Sequence, residues 1–132
     1  MAKTASEVQN LEQARRAEER LLSEMAEHGY GEAATFAVRL GVEEGLNNAL
    51  RYGARSSGDQ PVRITYEVDD QSVRVRISDG GEGFNPELVP DPTLDENLEK
   101  PTGRGIMLMR AYMDEVVFNE KGNEVCMVKR KR

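Results

Sequence analysis

The chain has 132 residues, a net charge of −6 at pH 7 and a single cysteine. This length fits one domain, residues 1–132, that buries a core without disulfides, and the acidic balance argues against a general nucleic-acid binder. Lone Cys126 excludes an internal disulfide, and His28, without a cysteine partner, excludes the common zinc patterns. No apolar run approaches the roughly 18 residues of a membrane span and no secretory segment opens the chain, so we expect a cytoplasmic protein with no membrane or direct nucleic-acid contact.

The first predicted element is a helix from about Ala5 to Glu27. Thr4 and Glu7 have the spacing of a capping box, and His28-Gly29 provides a stop. The arginines of this helix lie mostly off its apolar stripe. We expect them in solvent, with a docking face for a protein partner as the alternative; they are Arg15, Arg16 and Arg20.

A second helix is predicted from about Gly31 to Tyr52. Glu44 and Asn48 fall at the boundary of its apolar face and, being four residues apart, lie one above the other. Such a pair is either a surface hydrogen bond or the wall of a site, because Glu can serve as a base and Asn can offer an oxygen to Mg²⁺. The predicted apolar face consists of Val38, Val42, Gly45, Leu46 and Ala49.

A hairpin is predicted next, with strict alternation of apolar and polar residues from Val62 to Val68 and again from Val73. The alternation places Asp79 on the apolar face of the second strand, where a carboxylate is costly unless it accepts hydrogen bonds. Glycines at 80, 81 and 83 follow, and they permit close approach of the main chain to another molecule.

Residues Asn85 to Thr102 predict a long loop of the kind that forms functional lids. Gly103-Arg104-Gly105 then opens a helix from Ile106 to Tyr112, and free amides at such a terminus favour phosphate. The chain is predicted to end in a hairpin of residues 113–119 and 124–129, with the basic tail from Lys129 to Arg132 in solvent. This order predicts an α+β fold, a two-layer α/β sandwich with a mixed or antiparallel sheet and helices on one face.

Taken in order, these motifs resemble the GHKL ATPase superfamily with its Bergerat nucleotide-binding fold. They are Glu44-x-x-x-Asn48, Asp79-x-Gly81-x-Gly83-Phe84, the variable lid and Gly103-x-Gly105-Ile106. The short lid and the run from Gly103 to Glu115 are similar to bacterial anti-sigma-factor serine kinases. The resemblance covers roughly residues 6 to 130.

The resemblance implies ATP and Mg²⁺ as cofactors and assigns a role to each motif. Glu44 would be the catalytic base, Asn48 would hold Mg²⁺, and Asp79 would accept the adenine amino group. Gly81 and Gly83 would shape the adenine and ribose side. The phosphate side would be formed by Gly103, Arg104 and Gly105, with Lys100 and Thr102 as weaker candidates.

Two departures from the family pattern are visible. Too few residues precede Thr4 for the family's usual first strand, so we expect the sheet to lack that strand or to receive it from a partner. Tyr52 stands where the family commonly has a histidine.

The implied function is an ATP-dependent serine/threonine kinase that acts as an anti-sigma regulatory factor and phosphorylates a small antagonist protein of the STAS type. A sigma factor and a second copy of the chain are further candidate partners. One alternative is an ATP-binding partner switch without kinase activity, which retention of Glu44 disfavours. The other is a histidine-kinase catalytic domain, which we disfavour because no dimerising helix with a phosphorylatable histidine precedes the domain.

Overall fold

A single sheet with helices packed on one face forms the architecture, in a computed structural model that describes residues 3–50, 62–78, 103–119 and 123–131. The strand order is β1-β2-β3-β5-β4 and every pairing among these strands is antiparallel, which confirms the predicted α+β sandwich. None of the described helices is long and apolar enough to cross a membrane. The elements are β1 (Thr4–Val8), α1 (Leu11–Glu27), α2 (Glu32–Asn48), β2 (Val62–Val68), β3 (Ser72–Ser78), α3 (Gly103–Tyr112), β4 (Glu115–Phe118) and β5 (Glu124–Arg130).

The start of the chain differs from the sequence prediction. Residues 4–8 form edge strand β1, in which Thr4 lies opposite Tyr66 of β2, and helix α1 begins only after Asn10. The Asn10 side chain caps α1 by accepting a hydrogen bond of 2.9 Å from the Gln13 amide. The predictions of a helix from Ala5, a capping box and a missing first strand were therefore wrong. Only Val8 of β1 is fully buried, so this strand has no apolar face of its own. Residues 4–8 form a strand because their backbone pairs with β2.

Helix α2 approaches the sheet closely because two glycines face it. A Cβ added at Gly41 would lie 3.2 Å from Met127 Sδ of β5, and one added at Gly45 would lie 2.7 Å from Ile77 Cδ1 of β3. Larger side chains at these positions would push the helix away from the sheet. The predicted apolar face is confirmed, since Val38, Val42, Gly45, Leu46 and Ala49 are all buried.

The predicted hairpin of β2 and β3 is confirmed, and its turn is held by Asp69. The Asp69 carboxylate accepts hydrogen bonds from the amides of Ser72 at 2.8 Å and Gln71 at 2.7 Å. These bonds lower the pKa of Asp69 because they stabilise its charged form. The inward side chains are all buried: Val62, Ile64, Tyr66, Val68, Val73, Val75 and Ile77.

The predicted final hairpin is also confirmed, and the described residues of its basic end make contacts with neighbouring elements. Lys129 belongs to β5, and its ammonium donates a hydrogen bond of 3.1 Å to the Tyr112 carbonyl at the end of α3. Arg130 pairs with Glu115 at 2.9 Å, and the Lys131 ammonium donates to the His28 carbonyl. Lys129 is half-buried, so the prediction of a solvated end was wrong for this residue, whereas Arg130 and Lys131 are exposed as predicted although each has a partner on a neighbouring element.

Candidate functional site

Three residues that the sequence placed in the site meet where helix α2 lies beside the first turn of α3. A Cβ added at Gly105 would lie 2.7 Å from Glu44 Oε2 and 3.6 Å from Asn48 Nδ2. Any side chain at position 105 would therefore occupy the space of the Glu44 carboxylate. The structure brings together the Glu-x-x-x-Asn motif and the Gly-x-Gly motif, which lie far apart in the sequence.

The packing of α2 on the sheet sets the position of this pair. Gly45 contacts Ile77 of β3, and this close contact fixes the rotation of α2 about its axis. Glu44 and Asn48 are consequently half-buried, at the border between the core face and solvent, as the helical projection predicted. Their neighbours Glu43 and Asn47 are exposed and line a groove beside α1.

The electrostatic environment makes the Glu44 carboxylate a stronger proton acceptor than an exposed one. Burial raises the pKa of Glu44, and the charge of the neighbouring Glu43 carboxylate raises it further. A pKa nearer to neutrality improves a carboxylate as a general base. Glu44 also lies beside the N-terminal end of α3, where backbone amides and the helix dipole favour an anion such as phosphate.

The other predicted site residues divide into two groups. Gly103 and Arg104 belong to the first turn of α3, so the helix begins three residues earlier than predicted. The remaining residues lie outside the described ranges, as do Tyr52 and the predicted lid from Asn85 to Thr102. They are Asp79, Gly81, Gly83, Lys100 and Thr102.

A second acidic pair between α1 and α2 was missed at the sequence level. Burial and, after it, the nearby Glu43 carboxyl raise the pKa of Glu18 to about 7, while the charge of Arg39 lowers it. Glu18 Oε1 is fully buried and has no hydrogen-bond partner among the described residues. The pair lies in a groove that Arg15 and Asn47 also line. The signal that could have revealed it is a charged residue, Glu18, within the apolar stripe of the first helix.

The described residues contain no cluster of three or more His, Cys, Asp or Glu side chains that could hold a metal ion. Within this part of the chain, Asn48 is the residue that the resemblance assigns to a metal. Mg²⁺ in nucleotide sites usually takes one or two protein ligands and completes its shell with phosphate oxygens and water. The single amide beside Glu44 fits such a partial site.

Comparison with protein families agrees with this geometry. The family described as "Histidine kinase-like ATPase domain" matches residues 5–129. The chain belongs to this family. The resemblance to GHKL ATPases of the anti-sigma serine kinase type is thereby confirmed.

Curated relatives of this ATPase domain are bacterial regulators. The serine-protein kinase RsbW of Staphylococcus epidermidis is 29% identical over 99 residues, which cover 69% of this chain and 62% of the relative. The anti-sigma F factor of Clostridium beijerinckii is 33% identical over 99 residues, which cover 72% and 68% of the two chains. The chain thus spans less than two thirds of the length of the first relative.

A solved structure shows the same fold. The crystal structure of the RsbU and RsbW domains of a Mycobacterium tuberculosis protein superposes with a TM-score of 0.63 at 14% sequence identity. The match covers 100% of this chain and 32% of the solved chain. At this identity the likeness supports the sandwich architecture alone.

Proposed function

We propose that this ATPase domain is an ATP-dependent serine kinase that phosphorylates a small antagonist protein of the STAS type, with a sigma factor as a second partner. The observation that carries the proposal is the Glu44 carboxylate held beside Asn48 and against Gly105. One relative is named a serine-protein kinase and another an anti-sigma F factor, which supports the same function.

The residues at the α2/α3 contact fit a magnesium nucleotide. Gly105 keeps the first turn of α3 free of a side chain that would fill the space beside Glu44. The amides of that turn suit phosphate oxygens, and Asn48 offers a neutral oxygen to a hard cation. ATP with Mg²⁺, when bound, supplies the phosphoryl group to be transferred.

In this proposal Glu44 accepts the proton of the substrate serine as the serine oxygen forms its bond to phosphorus and the bond to ADP breaks. Burial and the Glu43 charge, which raise the pKa of Glu44, suit it to this step. Most of the remaining catalysis in phosphoryl transfer comes from positioning and charge neutralisation. Asn48 and the first turn of α3 would contribute to both.

The proposed adenine-binding side of the site is inferred from the sequence and from one contact. Ile77, near the end of β3, packs against Gly45, so this strand end lies beside the turn of α2 that carries Glu44. We propose that Asp79, two residues further along the chain, accepts the adenine amino group. Gly81 and Gly83 would complete the adenine and ribose side, and Lys100, Thr102, Gly103 and Arg104 the phosphate side.

The test is phosphate transfer to antagonist proteins encoded near the gene, followed by identification of phosphoserine. We expect transfer that needs both ATP and Mg²⁺. Asp79→Asn should weaken ATP binding about ten- to hundredfold, the usual effect of losing a hydrogen bond to a charged group, and Asn48→Ala should weaken the Mg²⁺-dependent part of binding. If the wild-type protein binds ATP but transfers no phosphate to any of these antagonists, a nucleotide-dependent partner switch becomes the better description.

A further inference from the structure

Helix α3 is apolar on the side that faces away from the core. Ile106, Met109 and Met113 fill the core side of this segment. On the other side, Met107 is 60% exposed and Tyr112 is 43% exposed. A helix that is apolar on both sides is expected where a second surface covers its outer face.

Helix α2 continues this exposed apolar surface. Phe36 is 51% exposed, and its ring meets the ring of Tyr112 edge to face at 5.6 Å. Leu40 and Leu108 are half-buried, and among the described residues neither is part of the core or of the side chains packed against it. We call this surface the α2/α3 patch; it consists of Phe36, Leu40, Met107, Leu108, Ala111 and Tyr112.

The α2/α3 patch is continuous with the candidate site. Leu40 and Phe36 precede Glu44 by one and two helical turns, which correspond to about 6 and 12 Å along the axis. On α3, Leu108 and Tyr112 follow Gly105 on the side that faces α2. A standard protein interface covers about 800 Å² on each partner. A protein that presents a serine to Glu44 would therefore also cover the patch.

We propose that the α2/α3 patch docks the protein substrate of the kinase, a small folded protein with an apolar side chain near its reactive serine. This inference rests on the proposed function. Phe36 and Tyr112 are rigid aromatic side chains of the kind that anchor interfaces, and their edge-to-face contact is already formed. The apolar side chain of the substrate would pack on this pair while its serine reaches Glu44.

The rim of the patch indicates the charge of the partner. Arg39 is exposed and lines the same open groove as Phe36 and Tyr30. Arg39 takes part in none of the salt bridges among the described residues, although its charge lowers the pKa of Glu18. Because the side chain is exposed, its guanidinium can also meet an acidic side chain at the edge of a bound partner. We therefore expect an acidic residue beside the apolar anchor of the partner.

A second copy of this chain fits the patch less well. In a two-fold contact centred on Phe36, the same surfaces of both copies meet, and the two Arg39 side chains would approach one another. Like charges at the edge of an interface oppose association. Such a contact would also cover Glu44 in both copies and block any protein substrate.

The test compares Phe36→Ala, Met107→Ala and the double variant with wild type in steady-state kinetics against the antagonist. Alanine has the highest helix propensity, so these exposed substitutions should leave the fold intact. We expect KM for the antagonist to rise about tenfold or more in the double variant, because a few anchor side chains usually provide most of the binding energy of an interface. The affinity for ATP and kcat at saturating antagonist should not change.

Val117→Thr is the matched control. Val117 is 60% exposed on β4, while its neighbours Val116 and Phe118 pack against the core, so Val117 lies on the open face of the sheet. The exchange removes an exposed apolar side chain far from the patch while keeping its branched shape. Its KM should equal that of wild type.

Four outcomes would overturn the inference. An unchanged KM in the double variant, with active wild type, removes the docking role and leaves the proposed kinase function standing. A loss of ATP affinity would mean that the patch supports the nucleotide site, and a loss of self-association in sedimentation would mean that it joins two copies. If wild type transfers no phosphate, the docking role of the patch is tested by calorimetry of antagonist binding to wild type and to the double variant. Equal affinities of the two proteins for the antagonist would then refute the docking role.

Discussion

Gly105 lies against the carboxylate of Glu44, so closely that a Cβ at position 105 would come within 2.7 Å of Glu44 Oε2. The contact joins the first turn of α3 to the C-terminal part of α2. Because the atom approached belongs to the end of a flexible side chain, a small side chain at position 105 would displace the carboxylate rather than unfold the protein. The glycine therefore matters for the position of Glu44 more than for stability.

We expect Gly105→Ala to reduce phosphate transfer by about tenfold or more, because a misplaced base loses much of its contribution. The melting temperature should change little. The measurement is the single-turnover rate of transfer to the antagonist beside a thermal melt. Gly31→Ala is the control, since a Cβ at Gly31 meets nothing within 4 Å. Equal transfer rates in Gly105→Ala and wild type would contradict the assigned contact.

The other close glycine, Gly45, should affect stability instead. A Cβ at Gly45 would lie 2.7 Å from Ile77 Cδ1 inside the core. We expect Gly45→Ala to lower the free energy of unfolding by about 1 to 3 kcal/mol through overpacking, partly offset by the better helix propensity of alanine. Urea denaturation measures this change. A variant as stable as wild type would show that α2 can move away from the sheet at no cost.

The Glu18–Glu43 pair should make stability depend on pH. The pKa of Glu18 is raised from 4.5 to about 7 in the folded protein, so the unfolded chain loses this proton first as pH rises. Wild type should lose stability between about pH 4.5 and 7, and Glu18→Gln should avoid that loss. Because Glu18 is only partly buried, we expect a gain of about 1 kcal/mol above pH 7 and none near pH 4.

Urea denaturation at pH 4 and pH 8 measures this effect. Glu19→Gln, at an exposed neighbouring position of α1, is the control and should gain much less. A Glu18→Gln variant with the same gain at both pH values would mean that the substitution improves packing and that the pair does not hold a proton.

The pH dependence of phosphate transfer should change when Glu43, the neighbour of the proposed base Glu44, loses its charge. A base must be deprotonated, so the rate should fall as pH decreases through the pKa of Glu44, which burial and the Glu43 charge raise above the ordinary glutamate range. Glu43→Gln removes the second cause and should move the acidic limb of kcat/KM to lower pH. Glu32→Gln, an exposed change in the first turn of α2, should not move it. An unmoved limb in Glu43→Gln would argue against Glu44 as the titrating group.

Much of the fold could be predicted because its elements carry their own periodicity. The alternation in β2 and β3 and the apolar face of α2 identified the core residues, and the half-buried border position of Glu44 and Asn48 followed from the helical projection. The contact of this pair with Gly105 could be expected only from the resemblance. No spacing within α2 indicates which later segment packs beside it.

The failures occurred where long-range pairing decides the structure. Residues 4–8 show no clear apolar alternation, and they form a strand because the edge of β2 is available to them. The basic residues after Val128 look like a tail, yet β5 continues through Lys129 and Arg130 because they pair with Val73 and Ser72 of β3. Both cases depend on groups that are distant in the sequence.

The most direct test of the proposed mechanism is the transfer rate of Glu44→Gln with ATP, Mg²⁺ and the cognate antagonist. A general base contributes about 10²- to 10⁴-fold, so transfer should fall by about that factor while ATP affinity stays close to wild type. Glu43→Gln makes the same chemical change at the adjacent, exposed position and should retain most of the activity at pH 8. If Glu44→Gln transfers phosphate as fast as wild type, Glu44 is not the base and the account of this site is wrong.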